Sequence, residues 1–161
     1  TYNNTRNMTY DCLIYFKRRD EKELEFLKEF LTNFNLSYKM VEYGGYSENS
    51  FMENVNQARF CFLINGTESQ GIAVQEIMSM GVPIICWDLK WWLDQGEEYR
   101  VPATSIPYWD NRCGEVFYDI KELPVTFNKF YANIDKYDPK AFIRDNLSFE
   151  CSVKTLLDRR R

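Results

Sequence analysis

The sequence has no histidine among its 161 residues. This absence excludes the Ser-His-Asp and Cys-His arrangements that activate a nucleophile. It also excludes most zinc sites, because imidazole is one of the usual zinc ligands. An enzyme that relies on a histidine base is therefore not encoded here.

The sequence also lacks an excess of basic residues and a long apolar run. Its 20 lysines and arginines are outnumbered by 24 aspartates and glutamates, which gives a formal net charge of −4. Because a nucleic-acid surface needs a basic face, we do not expect a broad one. A bound nucleotide needs only a few local cations, so the net charge does not exclude nucleotide binding. The longest apolar runs are too short to span a membrane.

The cysteines form no CxxC pair, and they are odd in number at five. Cys12, Cys61 and Cys86 each lie inside an apolar run of the kind found in buried strands. These features favour buried free thiols in a reducing compartment over a set of disulfides. We therefore expect a cytoplasmic protein.

The length is that of a single domain, and 45% hydrophobic with 27% charged residues is an ordinary globular composition. Residues 1–9 are polar and aperiodic, and we interpret them as a linker or a cut end that precedes one domain over 10–161. Apolar runs predict strands at 11–16, 38–43, 59–64 and 83–88, and weaker patterns suggest strands at 103–108 and 115–120.

Helical patterns alternate with these strands. Helices are predicted over 24–34, 50–58, roughly 70–80, 123–135 and 140–160. Ser50 is the predicted cap of the second, and Gly81 with Pro83 should end the third. The alternation predicts a three-layer, Rossmann-like α/β domain, with a mostly parallel sheet and helices on both faces.

Four polar or glycine-rich stretches begin where four of the predicted strands end. They are residues 17–19, 43–47, 65–71 and 87–88. In a parallel sheet, ligands bind beside the carboxyl ends of the strands, at a topological switch point. We therefore expect these stretches to form a ligand site.

The stretch NGTESQGIAVQE, at 65–76, permits two interpretations. In one, Thr67 or Ser69 caps a helix, and Glu68 in its first turn favours the helix dipole. In the other, the unpaired N–H groups of the first turn bind a phosphate, which Gly71 allows close to the main chain. The residues alone leave both open.

Glu68 and Glu76 lie near the same face of this predicted helix, where a second carboxylate would suit the vicinal hydroxyls of a ribose. They form an E-x7-E pattern within ESQGIAVQEIMSMGVPIICWD, which resembles the nucleotide-sugar signature of family 4 retaining GT-B glycosyltransferases. The elements of that signature found here are Glu68, Gly71, Ile72, Ala73, Glu76, Met78 and residues 81–84. The resemblance has no gap over this stretch and is looser elsewhere.

The resemblance implies one half of a GT-B fold, the C-terminal domain that binds the nucleotide-sugar. It implies retaining transfer of the sugar from a nucleoside diphosphate to a hydroxyl acceptor, without a metal or further cofactor. Full GT-B enzymes close two domains around both substrates, so an N-terminal acceptor-binding domain or partner chain is implied as well. Alone, this domain should bind the nucleotide and transfer little or nothing.

The resemblance also implies roles for individual residues. The diphosphate would be held by basic residues after the first strand: Lys17, Arg18, Arg19 and Lys22. The base would be held by the loop after the second strand: Tyr43, Gly44, Gly45 and Tyr46. The phosphates would meet the main-chain N–H groups of Ser69, Gln70, Gly71 and Ile72. Glu76 would hold the ribose. Glu68, the catalytic residue, would orient the sugar through a hydroxyl without acting as a nucleophile.

These assignments have plainer alternatives. The basic run is also typical of a solvated helix start, although cations in a first turn oppose the helix dipole and thereby favour an anion there. The loop at 43–47 is also typical of a glycine turn with partly buried tyrosines. Residues 87–88 and 91–92 suit a sugar site, a partner domain or the core equally well. The segment PYWDNRCG, at 107–114, is distinctive, but its pattern indicates no particular chemistry.

Two other functions stay open at this point. One is a non-catalytic module that binds a nucleotide or phosphate at the same helix terminus. The other is a signalling domain resembling response-regulator receivers. Such receivers need an acidic cluster after the first strand, where this chain has Lys17, Arg18 and Arg19.

Overall fold

The computed structural model describes residues 6–94 and 97–158. The strands are β1 (Tyr10–Lys17), β2 (Tyr38–Glu42), β3 (Ala58–Asn65), β4 (Ile84–Trp87), β5 (Trp91–Asp94), β6 (Glu97–Pro102) and β7 (Gly114–Phe117). The α-helices are α1 (Glu21–Asn33), α2 (Glu48–Gln57), α3 (Ile72–Ser79), α4 (Leu123–Ala132), α5 (Pro139–Leu147) and α6 (Phe149–Asp158). Short 3-10 turns lie at Ile120–Glu122 and Ile134–Lys136.

Five strands form one parallel sheet in the order β2-β1-β3-β4-β7. The central strands are apolar almost throughout because both of their faces are covered. Along β1, for example, Leu13 and Tyr15 enter one core, while Ile14 and Phe16 enter the other.

Helices cover both faces of this sheet. On one face, α1 contributes Leu27 and Leu31, and α4 contributes Phe127. On the other face, α2, α3 and α5 contribute apolar side chains such as Phe51 and Ile77. The predicted three-layer, Rossmann-like α/β fold is confirmed.

Helix α1 begins at Glu21, three residues before the predicted start at 24 but after the basic run at 17–19. Asp20 is its cap and accepts a hydrogen bond from the N–H of Lys22. Lys17 ends β1, and Arg18 adopts a left-handed backbone with φ 51°. The prediction of three cations in the first turn is therefore wrong, since only Lys22 lies inside it, beside Glu21 and Glu23.

The predicted cap of α2 is also wrong, and so is the interpretation in which a polar residue caps α3. Ser47, not Ser50, caps α2, and Ser50 completes the capping box from the third helical position. Neither Thr67 nor Ser69 caps α3, because the cap position belongs to Gly71, at φ 63°, which has no side chain to donate or accept. The predicted end of this helix is confirmed, with Gly81 in the left-handed region at φ 77°.

The chain after β4 departs most from expectation. Residues 103–108 are a loop and not a strand, whereas β5 and β6 form an antiparallel hairpin that was not predicted. A strand is confirmed near 115–120, but β7 spans Gly114–Phe117 and so covers only the first three residues of the predicted range. A Cβ at Gly114 would overlap the Ile84 carbonyl group, so the pairing of β7 with β4 requires a glycine there.

Cys12, Cys61 and Cys86 are buried and unpaired, as predicted, and so is Cys113. Burial raises the pKa of the Cys61 thiol far above its ordinary value. In the predicted linker 1–9, residues 1–5 lie outside the described part of the chain, and Arg6 Nη1 donates to the Ala58 carbonyl at 2.6 Å. No described helix has the length and apolar character needed to cross a membrane.

Candidate functional site

The switch point of the sheet lies between β1 and β3. From β1 the chain runs to β2 on one side, and from β2 it crosses to β3 on the other side of β1. The loops that follow β1 and β3 therefore diverge and leave a crevice at the carboxyl edge. At this edge Lys17 pairs in register with Asn65, and the N–H of Gly66 donates to the Lys17 carbonyl at 2.7 Å.

Three of the predicted site residues meet in this crevice. Lys17 Nζ donates to Glu68 Oε1 at 2.6 Å, and each of the two side chains is 14% exposed. The same ammonium lies 4.3 Å from the ring centroid of Tyr43, which is itself 53% exposed. The site therefore presents a cation, a carboxylate and an aromatic face at one point, still open to solvent.

A buried polar network supports Glu68 from behind. Asn65 Nδ2 donates to Glu68 Oε1 at 3.4 Å and to the Ser105 carbonyl at 3.3 Å. The N–H of Glu68 donates to the Thr104 carbonyl at 2.9 Å. Asp88 in turn accepts from Thr104 Oγ1 at 2.7 Å and from the N–H of Ser105 at 2.6 Å.

This network holds the buried polar residues of the described chain, tyrosines and cysteines aside: Arg19, Asn65, Asp88 and Ser105. Such residues destabilise a core unless their polar atoms are hydrogen-bonded, so their concentration in one place indicates a specific purpose. Asn65 Oδ1 is buried and has no hydrogen-bond partner in the described part of the chain.

Arg19 belongs to this support and not to the open crevice. Its side chain is 2% exposed and forms two hydrogen bonds with the Glu23 carboxylate, each at 2.7 Å. Its Nη1 donates to the carbonyl groups of Asn65 and Trp87, at 3.3 and 2.8 Å. Arg19 thus fastens the ends of β3 and β4 to the start of α1.

The other two predicted cations are placed differently. Arg18 is exposed beside Lys17 and forms no ion pair with any described residue. Lys22 lines an open groove of about 400 Å³ on the α1 side, together with Leu89 and Tyr118. Neither Lys17 nor Glu68 lines that groove.

The two tyrosines of the loop after β2 have different surroundings. Tyr43 remains open to a ligand, whereas Tyr46 stacks on Phe51 with ring centroids 4.8 Å apart. The Tyr46 hydroxyl lies 3.4 Å from that of Tyr15, and burial with this contact raises the pKa of Tyr15. Gly44 turns the chain at φ 84° with open space around it, and the N–H of Gly45 closes the turn on the Glu42 carbonyl at 3.0 Å.

Helix α3 points an uncapped end toward the same edge. Gly71 supplies no side-chain hydrogen bond, and Ile72, the first helical residue, is 68% exposed. Ser69 and Gln70 precede the helix, and the Gln70 carbonyl accepts from Gln75 Nε2 at 2.6 Å. The first-turn N–H groups are therefore those of residues 72–74, somewhat later than predicted.

Glu76 lies one helical turn after Ile72 in α3 and is partly buried. Burial raises its pKa above the ordinary value, and the negative charge of Glu48, at the start of α2, raises it further. No described residue donates a hydrogen bond to the Glu76 carboxylate or forms an ion pair with it; the main-chain carbonyl of Glu76 accepts from Ser79 Oγ at 2.7 Å. An unpaired, partly desolvated carboxylate is suited to accept hydroxyl hydrogen bonds from a ligand.

The hairpin beside the site exposes aromatic side chains. Trp91 and Trp92 are each 40% exposed, and Trp92 pairs across the hairpin with Tyr99, which is 47% exposed. The return from β6 leads directly into Thr104 and Ser105, the residues that hold Glu68 and Asp88.

Asn65, Thr104 and Ser105 were not singled out as site residues from the sequence, and Asp88 was offered only as equally suited to a sugar site, a partner domain or the core. Asn65 and Asp88 did lie in the polar stretches that follow the strands, which was the available signal. Thr104 and Ser105 lie in the segment 103–108, which was interpreted as a strand, so no signal marked them as site residues.

No protein-family model matches the chain, and no curated protein matches it in sequence. Within the described residues, no group of three or more cysteine, aspartate and glutamate side chains is arranged to hold a metal ion.

Proposed function

We propose that this domain binds a nucleoside-diphosphate sugar at the β1/β3 crevice and presents it for retaining transfer of the sugar to a hydroxyl acceptor. The observation that carries the proposal is the meeting of Lys17, Tyr43 and Glu68 at the switch point. The three residues come from three separate stretches of the sequence, and each has a distinct role in holding a base, a diphosphate or a sugar. The fold alone would not support the proposal, because α/β sheets of this kind serve many functions.

The chemistry required of such a domain is stabilisation of the departing diphosphate. Lys17 and Arg18 supply positive charge, and the uncapped N–H groups at the start of α3 supply fixed dipoles. Tyr43 offers an exposed ring on which a base can stack. Glu76 accepts hydrogen bonds from the ribose, and Glu68 accepts one from the sugar and orients its anomeric carbon. The acceptor is brought by a further domain or a partner chain.

A second function is compatible with the strand order. The order β2-β1-β3-β4-β7 is the flavodoxin-like one, and flavodoxin binds its phosphate-bearing cofactor FMN at the β1/β3 switch point without transferring a sugar. A non-catalytic nucleotide- or phosphate-binding module is therefore the alternative. It predicts equal stabilisation by nucleotides with and without an attached sugar.

A thermal-shift panel separates these functions. UDP, GDP, ADP, their matched nucleotide-sugars and inorganic phosphate are compared at millimolar concentration, with and without magnesium. Ligand binding raises stability by RT ln(1 + [L]/Kd), so even weak binding registers. We expect one nucleotide-sugar to exceed its nucleoside diphosphate, and both to exceed phosphate. A panel without any shift would contradict both functions.

Two site variants and one control locate the response. Lys17→Met should abolish the shift, whereas Lys28→Met, at a partly exposed lysine of α1 paired with Glu25, should not. Glu76→Ala should weaken every ribose-bearing ligand far more than phosphate. Equal effects on both would contradict the ribose assignment.

A further inference from the structure

Two hydrogen-bond donors converge on one oxygen of Glu68. Lys17 Nζ lies 2.6 Å from Glu68 Oε1, and Asn65 Nδ2 lies 3.4 Å from the same atom. The first contact is a short ion pair, whereas the second is a long hydrogen bond. In the ligand-free site the lysine therefore dominates the position of the carboxylate.

The two donors differ in how freely they can exchange partners. Lys17 is partly exposed and carries a compact charge on a flexible stem, so it can turn to another anion. Asn65 is fully buried, and its amide also donates to the Ser105 carbonyl at 3.3 Å. Asn65 can therefore hold Glu68 only in one place.

We propose that the Glu68 carboxylate occupies the position beside Lys17 that a ligand phosphate would take. When a diphosphate binds, Lys17 pairs with the diphosphate, and Glu68 is then held by its hydrogen bond from Asn65. Asn65 is thereby a positioning residue, which fixes Glu68 where the sugar hydroxyl arrives. This inference rests on the proposed function for the sugar, but its exchange step concerns only an anion and two side chains. It implies that the sugar-binding carboxylate becomes available only when the diphosphate is bound.

The unpaired oxygen of Asn65 supports this role. A buried amide oxygen without a partner destabilises the folded state, and a serine or an apolar residue would remove that cost. What asparagine supplies here is the Nδ2 donor directed at Glu68. Local rules of this kind are broken mainly at functional sites.

The exchange is tested by inorganic pyrophosphate, titrated calorimetrically into the wild type and Glu68→Gln. Removing the charge from Glu68 leaves Lys17 without its competing anion. Glu68→Gln should therefore bind pyrophosphate about threefold to tenfold more tightly, the factor expected for a partly exposed ion pair. Glu25→Gln is the matched control, since its ion pair with Lys28 lies on the outer surface of α1, and it should leave the affinity unchanged.

Unchanged or weaker binding by Glu68→Gln would overturn the exchange, and so would the absence of pyrophosphate binding in both proteins. If pyrophosphate behaves as expected but no nucleotide-sugar binds better than its diphosphate, the exchange holds and the proposed sugar transfer fails. The two failures are thus distinguishable.

The positioning role of Asn65 has its own readout. Asn65→Ser removes the Nδ2 donor and should keep pyrophosphate affinity within about twofold while abolishing the preference for the nucleotide-sugar over its diphosphate. A merely structural role would change both affinities together, and that result would overturn the assignment. Asn65→Leu is close in size, lacks the same donor and adds no charge, and it serves as the second variant if the serine protein fails to fold.

Discussion

The main-chain N–H of Ser105 lies 2.6 Å from Asp88 Oδ1, and this bond holds the return of the hairpin against the end of β4. The other carboxylate oxygen of Asp88 accepts from Thr104 Oγ1 at 2.7 Å. Since the Thr104 carbonyl accepts from the N–H of Glu68, Asp88 fixes the position of Glu68 through one intervening residue.

Asp88→Asn should therefore lower the free energy of unfolding by about 1–3 kcal/mol, because the charge-assisted hydrogen bonds that the carboxylate accepts from Thr104 and Ser105 are replaced by weaker neutral ones. Urea unfolding followed by circular dichroism measures the loss. Asp135→Asn, at an exposed aspartate far along the sequence, is the control and should change stability by less than about 0.5 kcal/mol. Equal stabilities of the two variants would contradict the supporting role of Asp88.

Arg19→Lys should be costly although it keeps the charge. A lysine cannot form the paired bonds to Glu23 and also reach the carbonyl groups of Asn65 and Trp87. We expect a loss of about 1–3 kcal/mol in chemical denaturation. Arg144→Lys, whose side chain is 72% exposed, should be nearly neutral. A neutral Arg19→Lys would mean that the guanidinium does not fasten the strand ends.

Gly71→Ala tests the turn into α3. Gly71 has φ 63°, and an L side chain in this left-handed region should cost about 1–2 kcal/mol. Gly45→Ala is the matched change in an ordinary backbone region, where an added Cβ would lie 3.4 Å from the Glu42 carbonyl oxygen. Thermal unfolding of both variants compares them. A larger effect at Gly45 would argue against the left-handed start of α3.

Glu76→Gln should stabilise the protein at neutral pH. The folded state raises the pKa of Glu76 above its ordinary value near 4.5, through burial and then through Glu48. Above that pH the folded state holds more of this proton than the unfolded state, so wild-type stability falls as pH rises through the interval up to the folded pKa.

The glutamine variant lacks this titration, so its melting temperature should exceed that of the wild type at pH 7 and approach it toward pH 4. Glu53→Gln, at an exposed position of α2, controls for the loss of one negative charge. A wild type that gains stability relative to Glu76→Gln as pH rises would reverse the assigned direction.

The parts of the fold that could be predicted are those where local pattern and burial agree. Strands β1, β3 and β4 are covered on both faces, so each appears in the sequence as an unbroken apolar run. The end of α3 was readable because Gly81 and Pro83 are local signals. The hairpin β5–β6 was not, because β5 is short and β6 is exposed throughout, so no pattern of buried apolar residues marks the pair.

The helix starts were predicted less well than the helix ends. Ser47 and Ser50 are chemically alike and only their geometry shows which one caps α2. At α3 the sequence allowed either a polar cap or open N–H groups beside Gly71, and the chain uses Gly71 in the left-handed conformation, with no side-chain cap. The choice depends on the path by which the loop from β3 arrives.

The candidate site shows the same division. The sequence by itself determined which residue types follow each strand, and hence that cations, carboxylates and an aromatic ring would lie at the carboxyl edge. Only the tertiary structure decided that Lys17 pairs with Glu68, 51 residues away, while Arg19 turns inward to the strand ends. The physical reason is that periodicity specifies which face of an element is buried, whereas the contacts between elements follow from strand order, register and the packing of loops from distant parts of the chain.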